Sequence, residues 1–207
     1  MQFDSRGDTL RRITKAALGG LAGCALALGG TQVASGVLST IFKEQSENLL
    51  TGTVAKPFDM AKATIAIAVD GNSTTFNLDL TKIDPSIAGK PLGSHLHTGP
   101  CVEGSGTSAG PHYNHEVVTR NKVFPALGQK ITGRTAEVSP NTEVWFDLIP
   151  DAGGNASDET TVPFVPVDPD GVMSVVVHEL ATNPTTGGAG PRQACFPLSV
   201  SGIFPTE

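Results

Sequence analysis

The sequence is short of positive charge, and this shortage limits its partners. Its 14 basic residues are outnumbered by 20 acidic ones, which gives a formal charge of −6. A nucleic-acid-binding protein needs a basic face, so no nucleic-acid partner is predicted. An anionic substrate could not be collected by the overall charge and would need a local cation to steer it.

Charged and aromatic residues are also scarce, at 16% and 5%, whereas 24 glycines and 15 prolines are present. Such a chain folds on many turns and short strands rather than on long helices. No internal repeat of about 20–50 residues is visible. The length of 207 residues suits one domain with a tail or with long loops.

The first 42 residues predict an export segment. An uncharged run rich in Ala, Leu and Gly extends from Ala16 to Phe42, and three basic residues precede it: Arg11, Arg12 and Lys15. A basic start followed by an apolar stretch is typical of an export signal. The body of the protein is therefore predicted outside the cytoplasm.

Three fates of this leader remain open. Residues 21–24 (LAGC) match the bacterial lipobox, in which the cysteine, here Cys24, is lipidated. Cleavage after Ser35 and retention of the whole run as a membrane anchor are the alternatives. Each predicts a bacterial protein that is tethered to the cell envelope or secreted. Residues 43–56 are polar and predict a linker to a domain spanning 57–207.

Outside the leader only two cysteines remain, Cys101 and Cys195. In an exported protein two cysteines most simply form one disulfide. That bridge would close a loop of about 95 residues, which the chain-entropy model values at roughly 4–5 kcal/mol.

The body predicts an all-β fold with about eight antiparallel strands in a sandwich or barrel. The strongest signal is a hairpin, because two alternating runs flank the turn at Asp70-Gly71-Asn72. No segment after Phe42 shows a helical period, and 117–142 is predicted as a long loop with one strand. The predicted strands are Lys62–Val69, Thr74–Leu80, Glu143–Leu148, Val172–His178 and Ala194–Val200.

Four of the five histidines lie within residues 93–117. His95 and His97 are two apart, so on a strand their imidazoles face the same side. His112 and His115 follow in a glycine-rich loop, and His178 ends a strand. Neutral imidazoles suit copper and zinc, and several of them without thiolate favour copper.

The order of these motifs resembles the copper/zinc superoxide dismutase family. The motifs are HLH (95–97), a cysteine at 101, SAGPHYN (108–114), VVVHE (175–179) and GGAGPRQAC (187–195). The likeness runs from about residue 63 to 200 and implies an eight-stranded Greek-key β-barrel, in agreement with the strand pattern.

The resemblance also implies roles for individual residues. His95, His97, His112 and His178 match the copper ligands, and His112 matches the histidine that bridges copper and zinc. Arg192 matches the arginine at the mouth of the copper channel, which would bind superoxide. Cys101 and Cys195 match the disulfide of the family.

The zinc ligands of the family are incomplete here, because no histidine stands between His115 and His178. His115 and Asp147 are candidates for a rebuilt second metal site, although neither stands at the family spacing. The loop from His178 to Arg192 is also short. The pattern therefore resembles the copper-only variants, in which zinc is not expected.

In a zinc-free site the second nitrogen of His112 needs another partner, for which the sequence offers Glu116, Glu179 or Asp147. The predicted protein is a monomeric copper-dependent superoxide dismutase, compatible with a partner that donates copper. A copper-binding or buffering protein on the same fold is the main alternative. A cupin-type metalloenzyme fits less well, because its second motif is missing.

Overall fold

The computed structural model describes residues 38–49, 56–123, 136–167, 172–200 and 204. Nine strands lie in these ranges: β1 Leu38–Gln45, β2 Glu47–Asn48, β3 Lys62–Asp70, β4 Ser73–Thr81, β5 Leu92–His97, β6 Trp145–Leu148, β7 Ala156–Val162, β8 Met173–His178 and β9 Arg192–Leu198. One α-helix, α1 (His115–Val123), and two 3-10 segments, Pro85–Ile87 and Gly106–Ala109, accompany them. None of the helices in these ranges is both long and apolar enough to cross a membrane.

The strands form two antiparallel sheets, with the orders β1-β3-β4-β7 and β2-β9-β8-β5-β6. β6 and β7 adjoin where the sheets meet, because the Asp147 backbone N–H donates to Asp158 Oδ2 at 2.7 Å. β8 then returns beside β5, which gives the Greek-key order. The predicted all-β sandwich or barrel is confirmed.

The predicted hairpin is β3–β4. Ile65 pairs with Leu78 and Ile67 with Phe76, and all four side chains are buried in the core. Gly71 forms the turn with a φ of 58°, a left-handed conformation that glycine adopts without strain.

Strand β5 is buried on both faces. Leu96 belongs to the hydrophobic core, whereas His95 and His97 point to the opposite side, as expected from their spacing. A loop covers that outer side, since Ser174 on β8 donates its hydroxyl to the Gly99 carbonyl at 2.8 Å. This arrangement lets histidines be buried without entering the apolar core.

The predicted disulfide is confirmed: Cys101 and Cys195 are bonded, with a Cα–Cα distance of 5.5 Å and a sequence separation of 94. The bond joins the loop after β5 to β9. Val176 of β8 packs beside Cys195 in a small second cluster of buried residues.

The predicted loop with one strand at 117–142 is wrong at its start, because α1 runs from His115 to Val123. Asn114 caps this helix, since its side-chain oxygen accepts from the Val117 N–H at 3.2 Å. The cap stabilises a helix whose sequence has little hydrophobic periodicity. Residues 124–135 lie outside the described residues.

The predicted linker 43–56 is wrong for its first part, because residues 38–45 form β1 and 47–48 form β2. β1 pairs with β3 from Leu38↔Val69 to Gln45↔Lys62, and Phe42 packs against the core. The last five residues of the predicted leader, 38–42, therefore lie in the sheet. Cys24 and the Ser35 cleavage position lie outside the described residues.

Candidate metal centre

Backbone pairing brings together four of the histidines. His95 and His97 lie on β5, and His178 lies at the end of β8, the strand paired with β5. His112 reaches the site through an isolated β-bridge with His97. A ligand atom from each of these four residues lies within 4.8 Å of the others. We call this group the four-histidine cluster.

The cluster is compact and largely closed to solvent. His95 and His97 are fully buried and His178 is 3% exposed, whereas the His112 side chain is 21% exposed. The His95 ring centroid is 4.1 Å from that of His112 and 4.8 Å from that of His178. His112 is therefore the side of the cluster nearest to solvent.

Each ring is held through one nitrogen, which leaves the other free. The Nδ1 atoms of His97 and His178 bond the carbonyls of Gly110 (3.1 Å) and Gly190 (3.0 Å). Because a carbonyl only accepts, both Nδ1 atoms carry the proton and both Nε2 atoms carry a lone pair. These two Nε2 atoms face each other at 3.4 Å.

His95 is held through the opposite ring nitrogen. Its Nε2 bonds the Thr182 hydroxyl at 2.9 Å, and its Nδ1 is buried without a hydrogen-bond partner. A buried polar atom without a partner is costly, and so are facing lone pairs at 3.4 Å. A cation among these nitrogens would remove both costs, so the residues present fit a metal ion.

Burial keeps these imidazoles neutral, which is the form that binds metals. Burial, reinforced by the neighbouring His112, lowers the pKa of His95 and that of His97 to about 2. Burial also lowers the pKa of His178 to about 4. All three stay uncharged at neutral pH.

The metal-free protein should lose stability in acid. The three folded-state pKa values lie below the ordinary value of 6.5, so the unfolded chain takes up more protons as the pH falls. The free energy of unfolding should then drop by about 1.4 kcal/mol per pH unit for each histidine between pH 6.5 and about 4. Urea denaturation at several pH values measures this slope. His97→Gln should have a shallower slope, and equal slopes in the two proteins would contradict the expectation.

Glu143 holds the fourth ring of the cluster. Its Oε2 accepts from His112 Nδ1 at 3.0 Å and from Trp145 Nε1 at 2.8 Å, and its Oε1 accepts from Asn114 Nδ2 at 3.2 Å. Burial raises the pKa of this carboxyl, but the three donors outweigh burial and lower it below its usual value. Glu143 is therefore a buried carboxylate.

None of the predicted partners of His112 is the observed one. Glu116 accepts instead from the Glu137 backbone N–H, and both Glu179 and Asp147 are exposed. Sequence reasoning missed Glu143, although strand alternation in EVWFDL places it on the same side as Trp145. It also missed Thr182, for which the sequence carries no signal.

Arg192 lies at the start of β9, next to the cluster. Its guanidinium donates to the carbonyls of Gly106 and Gly110, and the Gly110 carbonyl is the one that also holds His97. The residue also lines a cavity of about 730 Å³ together with Ser105 and Thr107. Arg192 is thus fixed in place while still reaching solvent.

The structure does not bring His115 or Asp147 into a metal site. Among the described residues, the one group able to hold a metal is the four-histidine cluster. His115 stacks on Phe164 at 4.4 Å and bonds the Tyr113 hydroxyl at 3.0 Å. Its half-buried ring packs beside α1 and is not part of the four-histidine cluster.

Comparison with known proteins gives an informative match. No model of a protein family matches the sequence. The chain is 31% identical over 154 residues to a curated protein of Neurospora crassa named superoxide dismutase [Cu-Zn]. The alignment covers 68% of this chain and 90% of that protein.

Proposed function

Because the chain belongs to the copper/zinc superoxide dismutase family, we propose that it is a superoxide dismutase with one copper ion. The observation that carries this proposal is the four-histidine cluster, in which one nitrogen of every ring is held by a hydrogen bond and ligand atoms of all four residues lie within 4.8 Å of one another. Four imidazoles are a donor set that suits copper. When bound, copper supplies a one-electron couple, so one superoxide is oxidised to O₂ and a second, with two protons, is reduced to hydrogen peroxide.

Arg192 would bind the substrate anion. The chain is acidic overall, so a local cation is needed to attract superoxide. Two carbonyls fix the guanidinium and leave further N–H groups of this five-donor side chain for an anion. Burial lowers the pKa of Arg192, but an arginine stays protonated in proteins.

His112 would hold a proton for the reaction. Its Nδ1–H donates to the Glu143 carboxylate, so its Nε2 is the nitrogen that can bind or release a proton. The carboxylate at 3.0 Å would keep the ring oriented while Nε2 exchanges this proton. His112 is also the most exposed ring of the cluster, which suits proton exchange with water.

We further propose that the site takes no zinc. The position of a second metal beside His112 is taken by Glu143, which is already bonded to three donors. Asn114 and Trp145 belong to this network and offer no metal-binding nitrogen lone pair. The carboxylate would thereby hold the ring that a zinc ion holds in the two-metal members of the family.

We propose that the folded domain lies outside the cytoplasm. The disulfide between Cys101 and Cys195 supports it, because such bonds persist in oxidising compartments. Tethering through Cys24 and secretion after cleavage both leave β1 intact, since each cut precedes Leu38. A monomer that receives copper from a donor protein is the proposed working form.

The test is metal analysis of the full chain, oxidised and loaded with copper and zinc together, with superoxide consumption measured on the same sample. We expect one copper, no zinc and rapid consumption. Activity should fall by roughly 100-fold or more in His112→Ala and by about tenfold in Arg192→Ala. Lys90→Ala, an exposed cation in the loop before β5, is the matched control and should keep full activity.

Two other outcomes have distinct meanings. One tightly bound copper with consumption no faster than that of copper in buffer would favour the copper-binding or buffering protein. A stoichiometric zinc ion would contradict the copper-only site. Copper binding itself can be followed through Trp145, the only tryptophan, whose ring lies 6.1 Å from that of His95 and should be quenched by Cu(II).

A further inference from the structure

His95 differs from the other cluster histidines in what holds it. His97 and His178 are held by backbone carbonyls and His112 by a carboxylate, whereas His95 is held by the neutral hydroxyl of Thr182. We propose that Thr182 is a positioning residue that fixes the tautomer of His95 and sets how strongly this ring donates to copper. The inference rests on the copper site proposed above.

The local geometry decides the direction of the hydrogen bond. If the Thr182 hydroxyl donated to Nε2, the proton of His95 would sit on Nδ1, which is buried and has no acceptor. With Nε2–H as the donor, Nδ1 instead carries a lone pair, and this buried, unpartnered nitrogen is the one that is left to bind a metal ion in the cluster. Thr182 therefore acts as an acceptor, and His95 offers Nδ1 to the metal.

The approach of Thr182 depends on a glycine. A Cβ on Gly93, two residues before His95 and on the same side of β5, would lie 2.3 Å from Thr182 Oγ1 and 2.9 Å from its backbone nitrogen. The Gly93 N–H also donates to the Leu180 carbonyl at 2.7 Å. The loop after β8 thus contacts β5 at Gly93, where no side chain separates the two segments.

The neutral hydroxyl has an electronic consequence. A carboxylate acceptor makes a ligating imidazole more basic, and a hydroxyl does so less. Compared with Thr182→Asp, the natural residue should leave Cu(II) less stabilised and the copper reduction potential higher. The short loop from 179 to 191 would in this way tune the site through one side chain.

The test compares Thr182→Val, which is nearly isosteric, with Thr182→Ser and with Thr185→Val, an exposed threonine of the same loop. Cu(II) affinity is measured on the full chain by chelator competition with Trp145 fluorescence, and the bound copper by electron paramagnetic resonance. Thr182→Val should bind about 10- to 100-fold more weakly with an altered spectrum. Thr182→Ser and Thr185→Val should match the wild type, and Thr182→Asp should have a lower reduction potential.

The outcomes separate this inference from the proposed function. If the wild type does not bind Cu(II) at the cluster, the proposed function fails. If the wild type binds and Thr182→Val has the same affinity and spectrum, the positioning role is overturned. Thermal unfolding of each metal-free variant checks the fold, and Thr182→Ala, with the same expected loss, replaces the valine variant if that one does not fold.

Discussion

Replacing Glu143 with glutamine is expected to weaken Cu(II) binding by about 10- to 100-fold and to destabilise the metal-free protein by roughly 2–4 kcal/mol. The carboxylate is 4% exposed and accepts from three donors, on His112, Trp145 and Asn114. Both effects follow from replacing an acceptor-only group with an amide that carries two protons.

Glutamine cannot satisfy all three donors. If its carbonyl oxygen takes the Oε2 position, it can accept from His112 and Trp145, but its amide then faces Asn114 Nδ2. Asn114 is not free to turn, because its oxygen caps α1 and its Nδ2 also donates to the Glu137 carbonyl at 2.7 Å. At least one buried donor is therefore left unpaired in either orientation.

The measurement combines urea denaturation of the metal-free protein with Cu(II) titration followed by Trp145 fluorescence. Glu159→Gln is the matched control, because it removes the same charge from an exposed position on β7. Equal stability and affinity in Glu143→Gln and the control would show that the carboxylate does not hold His112 for metal binding. A fall in stability alone would limit Glu143 to a structural role.

Removing the disulfide with Cys101→Ser and Cys195→Ser together should destabilise the protein by roughly 4–5 kcal/mol. The bond closes a loop of 94 residues by sequence separation, and the entropy of the unfolded chain rises when so long a loop opens. The same variant should bind substrate anions less well. The loop that begins at Cys101 supplies the Gly106 and Gly110 carbonyls that hold Arg192.

Urea denaturation with and without a non-chelating phosphine reductant measures the effect. The wild type should shift to a lower midpoint on reduction, whereas the double variant should not respond to the reductant. An unchanged midpoint in the reduced wild type would mean that packing around Val176 and Cys195 holds the loop without the bond.

Both the hairpin β3–β4 and the four-histidine cluster could be predicted from the sequence, but on different grounds. The hairpin is local, so alternation and one turn suffice to fix it. The cluster was reached by resemblance, because no local rule brings His178 to His95, which are joined only by the β5–β8 pairing.

The features that escaped prediction depend on contacts between distant segments. Glu143 becomes the partner of His112 through an isolated bridge between Asn114 and Glu143, 29 residues apart in the chain. Thr182 reaches His95 because Gly93 leaves space for a loop from the other end of the domain. Helix α1 begins at an asparagine cap but lacks the hydrophobic periodicity by which a helix is predicted from sequence.

The Gly110 carbonyl accepts from both His97 Nδ1 and the Arg192 guanidinium. When Arg192 is removed, the carbonyl loses a charged donor and its remaining bond to His97 adjusts. The energetic effects of substituting the two residues should consequently be non-additive in a double-mutant cycle. In the proposed function, Arg192 binds the anion and His97 binds the metal. The free-energy contributions of these two functions would then not be independent, because both side chains depend on the Gly110 carbonyl oxygen.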